Sequence, residues 1–329
     1  MKNVAFLFLL VAGRIAVAAP EAGSGLALAA DYSLGCGETS LLVWKDGRTV
    51  YERRAPGASP APRVFSITKS LVSIGVFRDA MTGGLSLGDT AIFGAARGIP
   101  LADLLNQTSG LSPAQREFYT QGLKDKEPVL RNLSRRGGNG FVYGPSHWEV
   151  LAEEIRLRRG SGLEKWLRKF VPGADSNAVA RWTHDDHGRL FFSTGARMDA
   201  RDLLPAGRET LRGLRGRRWP QEVRALLADG TASNRMYALG FWLNRGAGNA
   251  DAKEVEVETA LGQPRDPSFW RDGCLSRSAP ADLVAMVGTR GQRVYVVPSR
   301  NMVIVRLGEG RGFSDAEFLR RFFAGGQRA

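Results

Sequence analysis

The chain is short of cysteine, of lysine, of acid and of long apolar runs, and each shortage excludes something. Two cysteines, Cys36 and Cys274, cannot build a metal site at that separation. In an oxidising compartment they invite one pairing, since each stands just ahead of a segment that could join a shared sheet; two unrelated buried thiols are the alternative. After the N-terminal region no uninterrupted apolar stretch reaches about 18 residues, so no transmembrane helix is expected. Acidic residues number 33 against 46 basic ones, which leaves a net charge of +13. That charge favours anionic surfaces, an acidic cell envelope among them. The basic residues are nevertheless scattered, as at Arg212, Arg215, Arg217 and Arg218, and no zinc-finger, RNP or basic-zipper pattern organises them. Nucleic-acid binding is therefore not expected.

What is present is enough for a large core: 329 residues, 43% of them hydrophobic. Residues 1–18 have the outline of an export signal. Lys2 supplies charge, Val4 to Ala12 an apolar stretch that Arg14 follows, and Ala16-Val17-Ala18 a small-x-small cleavage site. A periplasmic or secreted domain over 19–329 is the expectation. Ser40 to Trp44 and Arg48 to Arg53, joined through Asp46-Gly47, read as a β-hairpin. Arg293 to Val297 and Met302 to Leu307 read as a second, and Ser314 to Phe323 as a helix capped by its serine. Between these ends the signals are mainly helical, over Leu101–Leu105, Glu149–Arg158, Leu163–Phe170, Ala200–Leu214 and Pro220–Leu227. The fold class expected is α/β (α+β): an antiparallel sheet built from both chain ends, about 19–65 and 265–329, with helices on its flanks and a large, mainly helical insert at about 66–264.

Ser66-Ile67-Thr68-Lys69 is the stretch richest in chemistry. It opens the apolar run Leu71, Val72, Ile74, Val76, Phe77, and on a helix positions i and i+3 share a face. A serine hydroxyl is a poor nucleophile until a base takes its proton, and a desolvated neutral lysine can do so. Only eight of the 46 basic residues are lysines, so an amine at 69 suggests a group that must be able to lose its proton, which guanidinium cannot. An N-cap serine followed by a surface lysine is the plainer alternative. Tyr143, on a Gly-Pro turn after the glycine loop 137–140, can relay protons if a cation stands nearby. Gly288-Thr289-Arg290-Gly291-Gln292 opens a strand, where glycine lets a substrate approach and a free N–H at Gln292 could meet an oxyanion. Two competing sites are weaker. His184-Asp185-Asp186-His187 lies in a polar loop, and Gly84-Leu85-Ser86-Leu87-Gly88 has the letters of a nucleophile elbow without the strand before it.

Ser66-Ile67-Thr68-Lys69, Tyr143 and Gly288-Thr289-Arg290-Gly291 follow one another in the order of the serine penicillin-recognising enzymes. The chain resembles the branch that holds class C β-lactamases, DD-peptidases, esterases and 6-aminohexanoate-dimer hydrolases. Leu104 to Leu111 is similar to the family's LLxxTSGL, and Phe192–Leu203, Tyr237–Trp242 and Gly291–Pro298 are also family-like. The resemblance implies Ser66 as acylated nucleophile, Lys69 as general base and Tyr143 as proton shuttle, with the oxyanion between the N–H groups of Ser66 and Gln292. It implies no metal and no organic cofactor. Two departures matter. Position 145 is proline where many members have asparagine or serine, and Thr289 fills a slot that is usually lysine or histidine. Arg290 beside it would supply a cation for a substrate carboxylate.

The expected activity is cleavage of an amide or ester bond in a small-molecule substrate. A β-lactamase or DD-peptidase, and a binding protein that keeps the fold without turnover, are the alternatives.

Overall fold

The computed structural model describes residues 20–324 apart from 139, 161, 217 and 263–265. The export signal expected over 1–18 lies outside the described residues. The chain opens with helix α1 (Gly25–Gly35), strands β1 (Glu38–Lys45) and β2 (Arg48–Arg54), and the central helix α2 (Ile67–Ala80). Helices α3 (Leu101–Asn106), α4 (Gln115–Phe118), α5 (Lys126–Arg131), α6 (Ser146–Arg159), α7 (Leu163–Phe170) and α8 (Ser176–Ala180) follow. After α9 (Ala200–Arg215) and α10 (Gln221–Asp229) come β3 (Tyr237–Ala238), β4 (Phe241–Leu243), β5 (Lys253–Glu254) and α11 (Val257–Leu261). The last elements are β6 (Gly273–Cys274), β7 (Val284–Gly288), β8 (Gln292–Val297), β9 (Met302–Gly308) and α12 (Asp315–Ala324).

Seven strands form one sheet in the order β2-β1-β9-β8-β7-β4-β3, every neighbouring pair antiparallel. The first hairpin turns at Asp46 and Gly47, both at positive φ (48° and 94°), as a tight two-residue connection requires. Because side chains alternate across a strand, each inner strand feeds two cores. Val303 and Val305 of β9 and Val294 and Val296 of β8 join the helical core around α2 and α9. Ile304 and Tyr295, one residue out of step, join the smaller core on the other face, with Phe318 of α12. Helix α9 lies so close that a Cβ on Gly207 would stand 2.5 Å from Val303 Cγ1. The α/β architecture built from both chain ends is what the sequence suggests.

One reading needs correction, and one open alternative closes. Strands β3 and β4 fall within the span read as helical and extend the far edge of the sheet. They are too short to show alternation, and the sharp turn between them uses positive φ at Leu239 (49°) and Gly240 (83°). Cys36 and Cys274 are both free, buried thiols rather than a disulfide. Cys36 follows α1 beside the main sheet, but Cys274 belongs to β6, which pairs only with β5 in a separate two-stranded sheet. Burial pushes the Cys274 thiol up to about 11, so it stays protonated at neutral pH.

Candidate active site

Helix α2 is buried almost throughout its length and runs through the helical core, with Ser66 as its N-cap. The serine side chain makes no capping hydrogen bond, so its hydroxyl is left for other partners. Phe65 before it holds φ at +48°, a left-handed conformation that costs a bulky residue about 1–3 kcal/mol. Thr68 keeps it there. Its hydroxyl donates to the Phe65 carbonyl at 2.6 Å and accepts from the Ala196 N–H at 3.1 Å. One turn into α2, Lys69 is 2% exposed, its Nζ 2.8 Å from Ser66 Oγ and 3.0 Å from the Ser193 carbonyl oxygen to which it donates. Burial disfavours the ammonium and brings the amine from 10.5 down to about 7, with the Glu149 carboxylate pulling the other way. At neutral pH a large share of the molecules therefore carry a neutral amine with its lone pair available to the serine proton.

Tyr143 stands on the opposite wall. The Lys69 ammonium position is 4.9 Å from the centre of its ring. Burial raises the phenol well above its ordinary value, and a hydrogen bond with Ser66 opposes that rise. The turn carrying Tyr143 is fixed from the segment Leu104–Leu111. Gln107 accepts from the Gly144 N–H at 2.7 Å through its side chain and from the Val142 N–H at 2.9 Å through its backbone. Its amide nitrogen donates to Tyr237 Oη at 2.6 Å. His147 Nε2 lies 2.9 Å from the Val142 carbonyl oxygen, so the proton sits on Nε2 and Nδ1 accepts from Ser109 Oγ at 2.8 Å. Burial lowers this histidine to about 4, which keeps it neutral. Phe141, Tyr237 and Trp242 pack against the Tyr143 ring.

The third wall is the end of β7 and the turn after it. Beyond Ala285 this strand has no partner on its β4 side among the described residues, so Met286–Gly288 present a free edge. Two buried arginines hold the turn. Arg293 donates to the Gly288 carbonyl at 2.8 Å and grips Asp315 of α12 through two bonds of 2.7 and 2.8 Å. Arg306 donates to the Gly291 carbonyl at 2.8 Å, to the Cys36 carbonyl at 2.9 Å and to Ser33 Oγ of α1 at 3.2 Å. Glu258 accepts from the N–H groups of Arg290 and Gly291 at 2.8 and 2.9 Å and also pairs with Arg293 at 2.9 Å. Thr289 is different. Its N–H and that of Ser66 have no acceptor among the described residues, and both residues line one cavity of about 420 Å³ with Lys69 and Tyr143.

This arrangement of sheet and flanking helices has known counterparts. A sequence model of the family described as Beta-lactamase matches residues 33–168, a stretch that includes Ser66, Lys69 and Tyr143. The chain has the β-lactamase fold. It is similar in structure to a putative 6-aminohexanoate-dimer hydrolase from Bacillus anthracis, with a TM-score of 0.60, 15% identity, and 90% of this chain and 79% of that one covered. It is similar to a β-lactamase from Mycobacterium bovis (TM-score 0.59, 16% identity, 90% and 96% covered). It is also similar to EstCE1, a hydrolase with promiscuous acyltransferase activity (0.61, 15%, 90% and 96%). A search of curated proteins finds no match. The chain thus resembles the serine β-lactamase and penicillin-binding-protein-like hydrolases.

Within the β-lactamase fold the expected residues divide. Ser66, Lys69, Tyr143 and Thr289 share the cavity; Arg290, Gly291 and Gln292 do not line it. Gln292 is paired with Gly288 in the ladder of β8, one strand behind the free edge, and its side-chain amide donates to the Arg290 carbonyl at 3.0 Å. It is buried in the turn and does not line the cavity. Arg290 stands outside with its guanidinium 5.9 Å from the Phe65 ring. Residues 184–187 form a turn in which buried Asp185 accepts from the N–H groups of Lys126, His187 and Arg189. Ser86 lies in an exposed turn with its N–H on Asp89. Sequence reasoning missed Arg63, Tyr119 and Thr194 as lining residues. Thr194 follows Phe192-Ser193 at the start of a family-like segment, which was the one signal available.

Proposed function

We propose that the protein is an exported serine hydrolase that cleaves an amide or ester of a small substrate through an acyl-enzyme on Ser66. The neutral Lys69 amine takes the Ser66 proton as Oγ attacks the substrate carbonyl carbon. Charge on the carbonyl oxygen is met by the N–H groups of Ser66 and Thr289, two donors on the cavity wall with no acceptor among the described residues. Tyr143, between the amine and the solvent side, passes a proton to the departing amine or alcohol. Water then enters by the same proton path and releases the acid. A cavity of about 420 Å³ suits a compact acyl group, since small-molecule sites run from about 300 to 1,000 Å³. The basic surface would hold such an enzyme near an anionic envelope.

Above all the proposal rests on Lys69: a fully buried amine lowered to about 7 and 2.8 Å from a serine hydroxyl is a base in place. The test is labelling of the purified protein with a fluorophosphonate or a fluorescent penicillin, read by intact mass spectrometry. One probe mass should be added, and Ser66→Ala should abolish it. Labelling that survives the substitution puts the nucleophile elsewhere. Failure with every acylating probe favours a β-lactamase-fold binding protein without turnover.

A further inference from the structure

Behind the wall that carries the tyrosine, helices α5 and α6 bury a second lysine-containing pair that the proposed chemistry does not use. Lys126 Nζ lies 2.7 Å from Glu149 Oε2, both side chains wholly shielded from solvent, and also donates to the Leu190 carbonyl at 2.6 Å. The other carboxylate oxygen accepts from Ser193 twice, from its N–H at 2.9 Å and from its hydroxyl at 2.6 Å. Ser193 is the residue whose carbonyl accepts from Lys69 Nζ at 3.0 Å. A continuous chain therefore runs Lys126, Glu149, Ser193, Lys69, Ser66.

A buried ion pair is a weak device for stability, because desolvating both charges offsets most of their attraction, and apolar replacements are often neutral or better. What this pair does supply is direction. Two bonds to one residue fix the orientation of the Ser193 peptide, and the carboxylate itself cannot swing because Lys126 holds its far oxygen. We propose that Glu149 is a positioning residue for the Lys69 amine: anchored by Lys126, it sets the Ser193 carbonyl and so fixes where Lys69 Nζ stands relative to Ser66 Oγ. The proposal rests on the serine-hydrolase reading above. The carboxylate also acts through its field. The groups facing Lys69 are Ser66, the Tyr143 ring, neutral His147 and Glu149, with Tyr119 beside Ser193. Of these Glu149 is the carboxylate, and its field favours the ammonium, so it limits how far burial depresses the amine.

The test compares the full-length protein with Glu149→Gln and Ser193→Ala by two measurements. One follows the Lys69 ¹³Cε resonance with pH in lysine-labelled protein; with eight lysines in the chain, the signal is assigned by its loss in Lys69→Met. The other is the pH profile of kcat and KM on a nitrophenyl ester. In Glu149→Gln the Lys69 midpoint should fall by about one pH unit, as loss of a nearby opposite charge predicts. The acidic limb of kcat/KM should move with it, and kcat should drop ~10- to 100-fold with KM nearly unchanged. Ser193→Ala keeps the charge and every backbone bond; its midpoint should stay in place while kcat falls several-fold. A folded Glu149→Gln protein with the wild-type midpoint overturns the proposal, as does wild-type kcat in Ser193→Ala. If Glu149→Gln fails to fold, Ser193→Ala decides alone. Absence of Ser66 labelling in the wild type would instead sink the hydrolase reading, and the resonance titration would still report on the Glu149–Lys69 coupling.

Discussion

Replacing Lys69 with methionine removes the group that the fold holds at greatest cost, so the variant should be inactive and yet more stable. In the unfolded chain the lysine keeps its proton up to about 10.5; in the folded protein it does so only up to about 7. Between those values the unfolded state binds more protons, so stability rises with pH across that window and the whole cost is felt below 7. A fall from 10.5 to about 7, at about 1.4 kcal/mol per pH unit, corresponds to about 5 kcal/mol at pH 6. Methionine fills a similar volume, but it leaves the Ser193 carbonyl without its donor, which costs about 1–2 kcal/mol. The variant should therefore exceed the wild type by about 3 kcal/mol at pH 6. By pH 9.5 most of the wild-type handicap has gone, so the gap should shrink by about 3 kcal/mol and close or slightly reverse. Urea unfolding of both proteins at the two pH values, with the slope checked for equality, measures this directly. Equal gaps at pH 6 and 9.5 would show that Lys69 titrates alike in the folded and unfolded chain, and the case for a neutral base would fail.

Three further outcomes follow from the same geometry. The acidic limb of kcat/KM should have its midpoint near 7, because protonating Lys69 removes the base; a limb confined below pH 5 would point to a carboxylate instead. Gln107→Ala should lower kcat ~10-fold or more and stability by about 1–3 kcal/mol, since the Gly144 N–H beneath the Tyr143 turn loses its acceptor. Unchanged kinetics in that variant would mean the turn is held by the aromatic packing alone. Cys274, shielded and raised to about 11, should resist a disulfide-exchange reagent at pH 8 in the native protein and react after denaturation. Rapid native reaction would contradict its burial.

Much of the architecture was legible because it is written in local patterns. The Asp46-Gly47 hairpin, the β8–β9 pair and helix α7 all lie where alternation, turn residues and helical spacing put them. Ser66 and Lys69 were legible for the same reason, as one helical turn separates them. What the sequence concealed depends on contacts distant along the chain. That Thr289 rather than Gln292 lines the cavity goes with the free edge of β7, and that edge depends on how briefly β4 pairs. The support of the Tyr143 turn by Gln107 and Ser109 joins residues 37 and 38 apart, and no periodicity reports such a bond. The pairing of the two cysteines stayed open in the sequence because the two-residue strand of Cys274 pairs with a neighbour too short to announce itself.

The grip of Arg293 on Asp315, and of Arg306 on Ser33 and Cys36, gives the catalytic crevice a dependence on the order of synthesis. Serine, lysine and tyrosine leave the ribosome early, but the turn opposite them is braced by a helix made only after residue 314. A nascent chain halted before that point would carry its nucleophile with one wall unbraced. On the proposed reading, acyl transfer would thus be withheld until the final helix has packed, whether the chain folds during synthesis or after export.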